Sequence, residues 1–298
     1  MLKSRSAKYL VGIGWFVLSL VVSNLNDVTA KYLGSDIHPA QVAFLRFLFG
    51  TLSLLPFMFY YGKTAFKTSR PLVHVARGTL LFFGITIWIL GLGYIQITAA
   101  TILTFTIPLF ILVLAPIFLN EKVPTRLWGA TLIGFAGVLV ILNPLHTSFN
   151  AISMIMLLSA VMFASLDIIN KKFVIQESML SMLFYSAVVT TILGFYPAYL
   201  FWQPITHSQL YLLCALGAGS NLILFFLLKA FSLVNASDVA PYRYLELVIS
   251  AFFGFIIFAE IPTLETAIGA CIIIPTTLYI AYQKVEQLPE KEVMVANT

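Results

Sequence analysis

Asp27-Val28-Thr29-Ala30-Lys31-Tyr32 and, at an offset of 140, Asp167-Ile168-Ile169-Asn170-Lys171-Lys172 each place an Asp and a Lys four residues apart at the end of an apolar run. The likeness continues downstream. Asn120-Glu121-Lys122-Val123-Pro124-Thr125 resembles Ala259-Glu260-Ile261-Pro262-Thr263, and Gly129-Ala130 falls on Gly269-Ala270. Thr98-Ala99-Ala100 matches Asn235-Ala236-Ser237. The chain is thus a duplicated unit whose joint falls near Pro144 to Asn150.

Each unit is dominated by apolar segments. Of the 298 residues, 60% are apolar and 10% are charged, against roughly 25% charged in an ordinary soluble domain. That cannot supply the polar coat a fold in water requires, so lipid is the solvent for most of the surface. A hydrocarbon core of about 30 Å takes roughly 20 residues of helix, and the runs are too long and continuous for barrel strands. Ten spans follow: Tyr9 to Ala30, Pro39 to Tyr60, Leu72 to Ile95, Thr98 to Leu119, Arg126 to Asn143, Ile152 to Ile169, Leu180 to Trp202, Gln209 to Leu228, Ser237 to Phe258 and Leu264 to Tyr282. Five spans per copy is an odd number, so the second copy sits upside down. The expected fold is an all-α polytopic membrane protein of ten transmembrane helices in two inverted five-helix repeats. The repeats cover residues 9–143 and 152–282, and a cytoplasmic tail follows at 283–298. Inverted repeats are the signature of secondary transporters, with the substrate held near the midplane at the repeat interface.

Charge fixes the orientation. With the N-terminus in the cytoplasm, that side receives Lys3, Arg5, Lys8, Lys63, Lys67, Arg70, Arg77, Lys122, Arg126, Lys171, Lys172, Lys229, Lys284 and Lys291 out of 17 Lys and Arg. The other side receives Lys31, and Arg46 and Arg243 fall inside spans. The positive-inside rule then places both termini in the cytoplasm. Val28-Thr29-Ala30 resembles a signal-peptide cleavage site, but the apolar run is long for a signal, and its counterpart in the second copy makes it a retained helix. The basic residues cluster at span ends and form no stripe for nucleic acid.

Five-plus-five spans, the Asn-Glu-Lys-Val-Pro stretch at 120–124 and the Gly-rich helix after it resemble the drug/metabolite transporter superfamily, specifically its EamA-type members. More narrowly, four stretches resemble S-adenosylmethionine uptake transporters of intracellular bacteria: Leu166-Asp167-Ile168-Ile169-Asn170-Lys171-Lys172-Phe173, Ser181-Met182-Leu183-Phe184-Tyr185-Ser186, Leu227-Leu228-Lys229-Ala230-Phe231-Ser232 and Ala240-Pro241-Tyr242-Arg243-Tyr244-Leu245-Glu246. The resemblance implies a multi-pass protein of the bacterial cytoplasmic membrane that imports S-adenosylmethionine by alternating access, in exchange for S-adenosylhomocysteine and without a cofactor. EamA-type proteins also include many exporters, so export of amino acids or other small metabolites is the alternative.

Ionisable residues inside spans cost about 2.5 kcal/mol or more each by insertion scales, which makes them the first candidates. By the helical rise Arg243 lies about 10 Å and Glu246 about 15 Å into the ninth span. As i,i+3 neighbours they can pair with each other, or Glu246 can meet a substrate cation and Arg243 its carboxylate. Arg46 lies about 10 Å below the outer surface and is a second guanidinium for a carboxylate or for Asp27. Asp27 with Lys31, and Asp167 with Lys171, are gating or capping pairs on opposite faces. Trp15, Ser19, Ser23, Asn26 and Asp27 share one face of the first span, which therefore looks inward. Trp88 lies about 16 Å beyond Arg77, near mid-depth. Trp15, Trp88, Tyr94, Tyr242 and Tyr244 are the candidate platforms for a nucleobase, and Asn221 is a deep polar candidate beside Gly217, Gly219 and Ser220. Pro108 and Pro241 interrupt corresponding spans of the two repeats.

Enzyme chemistry has no foothold. His38, His74, His146 and His207 fall in loops or at span ends, Cys214 and Cys271 sit in apolar runs, and no metal-ligand spacing, phosphate loop or nucleophile elbow appears. A channel would more naturally show a symmetric filter.

Overall fold

A computed structural model describes residues 5–34, 37–92, 103–142, 151–258 and 264–287. Among them all regular structure is helical. We name α1 Arg5–Gly34, α2 Pro39–Tyr61, α3 Pro71–Leu92, α4 Ile107–Leu119, α5 Thr125–Leu142, α6 Ala151–Phe173, α7 Met179–Leu200, α8 His207–Leu233, α9 Leu245–Phe258 and α10 Leu264–Gln287. Among the described residues seven segments are long and apolar enough to cross a bilayer, and three further apolar helices, Ile107–Leu119, Thr125–Val140 and Ala267–Gln283, are shorter.

Local chemistry sets the helix ends. Pro39 fits the first turn of α2, where its missing N–H has no helical partner, and the His38 ring accepts from the Ala40 N–H. Gly62 ends that helix at φ 61°, a left-handed conformation that suits glycine. Thr206 and Gln209 form a reciprocal capping box at the start of α8. That box and the closing Val234 N–H to Ala230 carbonyl bond lengthen α8 at both ends beyond the predicted Gln209 to Leu228.

The two prolines mark real breaks. Pro108 sits in the first turn of α4, and a turn at Phe105 and Thr106 separates that helix from the helical Leu103 and Thr104. In the second half, Ala236–Val239 makes one α-helical turn and Ala240–Tyr244 a 3₁₀ stretch containing Pro241 before α9 begins. The missing N–H of each proline explains why the α-helical ladder is not continuous there.

The principal packing partners are α1 with α8, α3 with α6, α2 with α8, α3 with α7, α4 with α6, α1 with α9, α2 with α7 and α5 with α10. Shifting every helix number by five, cyclically, converts each of these pairs into another of the set or into itself. At the α2–α7 contact the Thr51 and Thr191 hydroxyls meet at 3.4 Å across a separation of 140 residues, the offset already seen in the sequence. Close approach relies on glycine at a few points. A Cβ on Gly217 would stand 2.6 Å from the Gly50 nitrogen and 2.8 Å from the Arg46 carbonyl oxygen, so α2 and α8 touch backbone to backbone.

Polar clasps hold the ends. At one end Gln41 exchanges two 2.8 Å bonds with the backbone of Gln203. At the other, the Glu177 carboxylate accepts from the hydroxyls of Ser69 (2.8 Å) and Thr68 (2.9 Å) and from the Ser69 N–H (3.3 Å), and Ser181 donates to the Ala65 carbonyl at 2.6 Å. Glu121 accepts from the N–H groups of Ala236 and Ser237 at 3.0 Å each and from the Ser237 hydroxyl at 2.6 Å. The Glu of the Asn-Glu-Lys-Val-Pro stretch is therefore the cap of the broken segment leading to α9, where orphan N–H groups favour an anion.

Candidate functional site

Both helix breaks open onto one cavity. It encloses about 400 Å³ between α1, α3, α6 and the segments leading into α4 and α9, and its wall includes Asp27, Trp88, Phe105, Phe163, Arg243 and Glu246. Depth alone does not bring these residues together. Asp27 comes from the last turns of α1, Trp88 from α3, and Arg243 and Glu246 flank the junction between the 3₁₀ stretch and α9.

Arg243 and Glu246 do not pair with each other. The Arg243 guanidinium forms an ion pair with Asp167 on α6 and lies 5.9 Å above the Phe16 ring. Glu246 accepts a long 3.5 Å bond from Ser23 on α1 and feels the charges of both Asp27 and Arg243. The helix breaks at this point, so the two side chains answer to different neighbours. A sequence reading that assumes one unbroken helix sees only the i,i+3 geometry.

Asp167 and Lys171 do not pair either. Lys171 donates to the carbonyls of Phe231 (2.7 Å) and Val234 (2.6 Å), the orphan acceptors at the C-terminal end of α8, where a cation is favoured. It ties α6 to α8 and leaves Asp167 to Arg243. Asp27 lies in the field of Arg46, whose Nε–H donates to the Ser220 hydroxyl. The Lys31 side chain lies outside the described residues, as does Tyr94.

A second cavity, of about 220 Å³, adjoins the first. Phe163 and Arg243 line both, and Arg46, Arg77, Asp167, Asn170 and Asn221 line the second. Asn221 is committed to α2, donating to the Gly50 carbonyl at 2.7 Å and to the Ser53 hydroxyl at 3.0 Å. Three of the aromatic candidates stand elsewhere. Trp15 stacks on Phe226 with centroids 5.4 Å apart, Tyr242 bonds the Tyr9 hydroxyl at 3.1 Å, and the buried Tyr244 packs between Phe105 and Phe135. Each is buried or part-buried in helix packing, and Trp88 is the candidate platform that faces the larger cavity. A third concavity, of about 280 Å³ between α2, α3 and α7, is lined by no Asp, Glu, Lys or Arg among the described residues.

Phe163, Arg77 and Asn170 are the residues that the sequence reading does not single out. Phe163 is one of 26 phenylalanines, with nothing to distinguish it. Arg77 reads as a charge near a cytoplasmic end, yet it is fully buried, with Nε donating to the Asn170 side-chain oxygen Oδ1 at 2.6 Å and Nη1 to the Met182 backbone carbonyl at 2.8 Å. Its position seven residues into α3 was the available signal.

Taken together, the larger cavity presents two carboxylates, one guanidinium and an indole, arranged around two broken helices. Carboxylates suit a cation, a guanidinium suits a carboxylate, and an aromatic face suits a planar base. Discontinuous helices around a cavity are a recurring binding architecture in transporters.

The S-adenosylmethionine uptake transporter of Rickettsia felis is 53% identical over 283 residues, which is 95% of this chain and 96% of that one. The protein of the same description from Rickettsia prowazekii is also 53% identical, over 95% and 96%. A riboflavin transporter of Rhizobium johnstonii is 28% identical over 92% of both chains. One solved crystal structure matches with a TM-score of 0.78, covering 96% of this chain and 100% of that chain at 18% identity, a likeness of fold. Residues 10–143 and again 150–282 match the EamA-like transporter family, and the chain belongs to that family.

Proposed function

We propose that this protein imports S-adenosylmethionine across a bacterial cytoplasmic membrane, releasing S-adenosylhomocysteine in exchange. The observation that carries the reading is the 400 Å³ cavity in which Asp27, Glu246, Arg243 and Trp88 share a wall. S-adenosylmethionine carries a sulfonium, an ammonium, a carboxylate and an adenine. Asp27 and Glu246 offer counter-charge to the two cations, Arg243 offers hydrogen bonds to the carboxylate, and Trp88 offers a stacking face. The Rickettsia relatives described as uptake transporters of this molecule support the assignment.

In this reading the fold is ten membrane helices in two inverted repeats, 9–143 and 152–282, with residues 283–298 forming a cytoplasmic tail. The two family matches, the exchange of helix contacts under a shift of five and the Thr51–Thr191 meeting support it. Both termini lie in the cytoplasm, so the Glu177 and Glu121 clasps are cytoplasmic and the Gln41–Gln203 clasp faces outward. The larger cavity then lies toward the outer side and the smaller extends to Arg77 and Asn170 on the inner side, with Phe163 and Arg243 between them. Alternating access amounts to opening one clasped end as the other closes, and exchange follows if the empty carrier rarely makes that transition.

The test is uptake of labelled S-adenosylmethionine by a bacterial host that does not otherwise import it. Saturable uptake inhibited by S-adenosylhomocysteine and not by amino acids is expected. Verified membrane insertion without uptake would overturn the substrate and favour metabolite export, the activity to assay next.

A further inference from the structure

The smaller cavity contains a set of donors that the protein leaves unanswered. Arg77 Nη2, Asn170 Nδ2 and Ser186 Oγ are buried without a hydrogen-bond partner, and all three residues line this one space. The residues are 0%, 0% and 3% exposed. Arg77 uses its other nitrogens on the Asn170 side-chain oxygen, on the Met182 carbonyl and, at 3.5 Å, on His74 Nδ1, which leaves the Asn170 amide nitrogen, a pure donor, with no acceptor. Among the described residues no carboxylate lies within 4.0 Å of Arg77, whereas Arg243 has Asp167. A buried guanidinium is costly without a counter-charge. Water can satisfy a hydrogen bond there, but it brings no negative charge. Three unpartnered donors on residues that line one cavity, one of them on a cation with no carboxylate beside it, call for a ligand that accepts only, and carries charge.

We infer that Arg77, Asn170 and Ser186 form an anion site for a carboxylate, and that this carboxylate is the amino-acid end of the transported molecule on the cytoplasmic side of Phe163. The inference rests on the uptake reading above for the identity of the molecule, and on geometry alone for the site. It gives the two cavities distinct tasks. The outer one, with Asp27 and Glu246, engages the cationic end, and the inner one engages the carboxylate as the substrate passes Phe163. S-adenosylhomocysteine keeps the carboxylate and lacks the sulfonium, so the inner site is where the outgoing molecule is first held.

Two arms test this. In the first, unlabelled S-adenosylhomocysteine and its decarboxylated analogue compete with labelled S-adenosylmethionine for uptake by cells expressing wild type, Ser186→Ala or Ser186→Asp. Wild type should favour the carboxylate-bearing competitor by about tenfold or more, the worth of hydrogen bonds to a charged group. Ser186→Ala, which removes one donor that has no partner inside the protein, should reduce that preference, and Ser186→Asp, which supplies a resident carboxylate, should erase it. In the second arm, the thermal unfolding of purified full-length protein is followed without substrate, in chloride or acetate. Ser186→Asp should melt above wild type and Ser186→Ala, because its carboxylate answers Arg77 and Asn170. Equal preference in all three proteins, or a Ser186→Asp protein that melts no higher than Ser186→Ala, would overturn the site. Stabilisation of wild type by chloride, lost in Ser186→Asp, with no competitor preference in wild type, would assign the site to a free inorganic anion and overturn the substrate carboxylate. If no uptake is seen at all, the uptake reading fails, and the unfolding arm still decides the anion site.

Discussion

Glu246 and the Asp167–Arg243 pair ask different things of the same short stretch. Glu246 has one long hydrogen bond, from Ser23, and lines the larger cavity, so its charge is free to act on a ligand. Glu246→Gln keeps the shape and removes the charge. The apparent KM for S-adenosylmethionine should rise about tenfold or more, whereas inhibition by S-adenosylhomocysteine, which lacks the sulfonium, should change far less. Uptake competition measures both, and an equal loss for the two ligands would remove Glu246 from contact with the cation. Arg243 and Asp167 are instead paired with one another, with side chains 17% and 7% exposed. Removing one partner leaves a buried charge uncompensated, at a cost of about 3–5 kcal/mol. Asp167→Asn alone should therefore lower Tm more than Asp167→Asn combined with Arg243→Gln, and thermal unfolding of the single and double variants in detergent provides the comparison. If the double variant is the sum of the singles, the pair is not a coupled unit.

Helix contacts depend on backbone proximity at some places and on loop hydrogen bonds at others. The Gly217 face meets the α2 backbone, which cannot retreat as a flexible side chain can. Gly217→Ala should cost about 1–3 kcal/mol of stability by overpacking and should lower the yield of folded protein in the membrane. Gly129, whose Cβ would meet nothing within 4 Å, is the matched control. Outside the spans, Glu177 ties the α2–α3 loop to the α6–α7 loop. Burial pushes its carboxyl up, but hydrogen bonds from the Ser69 and Thr68 hydroxyls and the Ser69 N–H, with His74 nearby, outweigh burial and hold it below the usual carboxylate range. A carboxyl depressed by folding contributes stability above its ordinary value of 4.5, and that contribution drains away as pH falls through the folded value. Glu177→Gln should thus lower Tm at neutral pH and flatten its decline on acidification, as a pH series of melting curves will show. These elements also show what can be read in advance. Pro108 and Pro241 announce the broken helices because a missing N–H acts locally, and the Asp and Lys recurrences announce the duplication. The partners of Arg243, Lys171 and Arg77 were not legible, because each lies on a helix distant in sequence and is chosen by packing. Depth singled out Trp88 in advance, but that Trp15, Tyr242 and Tyr244 pack against other helices was not legible for the same reason: composition marks an aromatic but not the side of the helix it will face.

At the scale of the whole molecule the charges of the two ligands become a measurable current. S-adenosylmethionine at neutral pH carries a sulfonium, an ammonium and a carboxylate, and S-adenosylhomocysteine lacks the first of these. One-for-one exchange therefore moves one net positive charge inward per cycle, unless the protein carries a compensating charge of its own. The charged residues lining the two cavities are Asp27, Asp167 and Glu246 against Arg46, Arg77 and Arg243, three of each sign. A carrier balanced in this way has little reason to move its own charge, so the substrate's charge sets the dependence on voltage. Moving one charge through 100 mV is worth about 2.3 kcal/mol, enough to concentrate the cation roughly fortyfold above exchange equilibrium. In proteoliposomes loaded with S-adenosylhomocysteine, an inside-negative potassium diffusion potential should accelerate and deepen S-adenosylmethionine uptake. Collapsing the potential should remove the gain. When the vesicles contain S-adenosylmethionine instead, inward and outward charges cancel and the potential should leave the extent of exchange unchanged. Uptake that ignores voltage in both cases would mean that a counter-charge travels with the substrate, and Glu246 and Asp27, the two carboxylates of the outer cavity without a bonded cation of their own among the described residues, would be the first places to look for it.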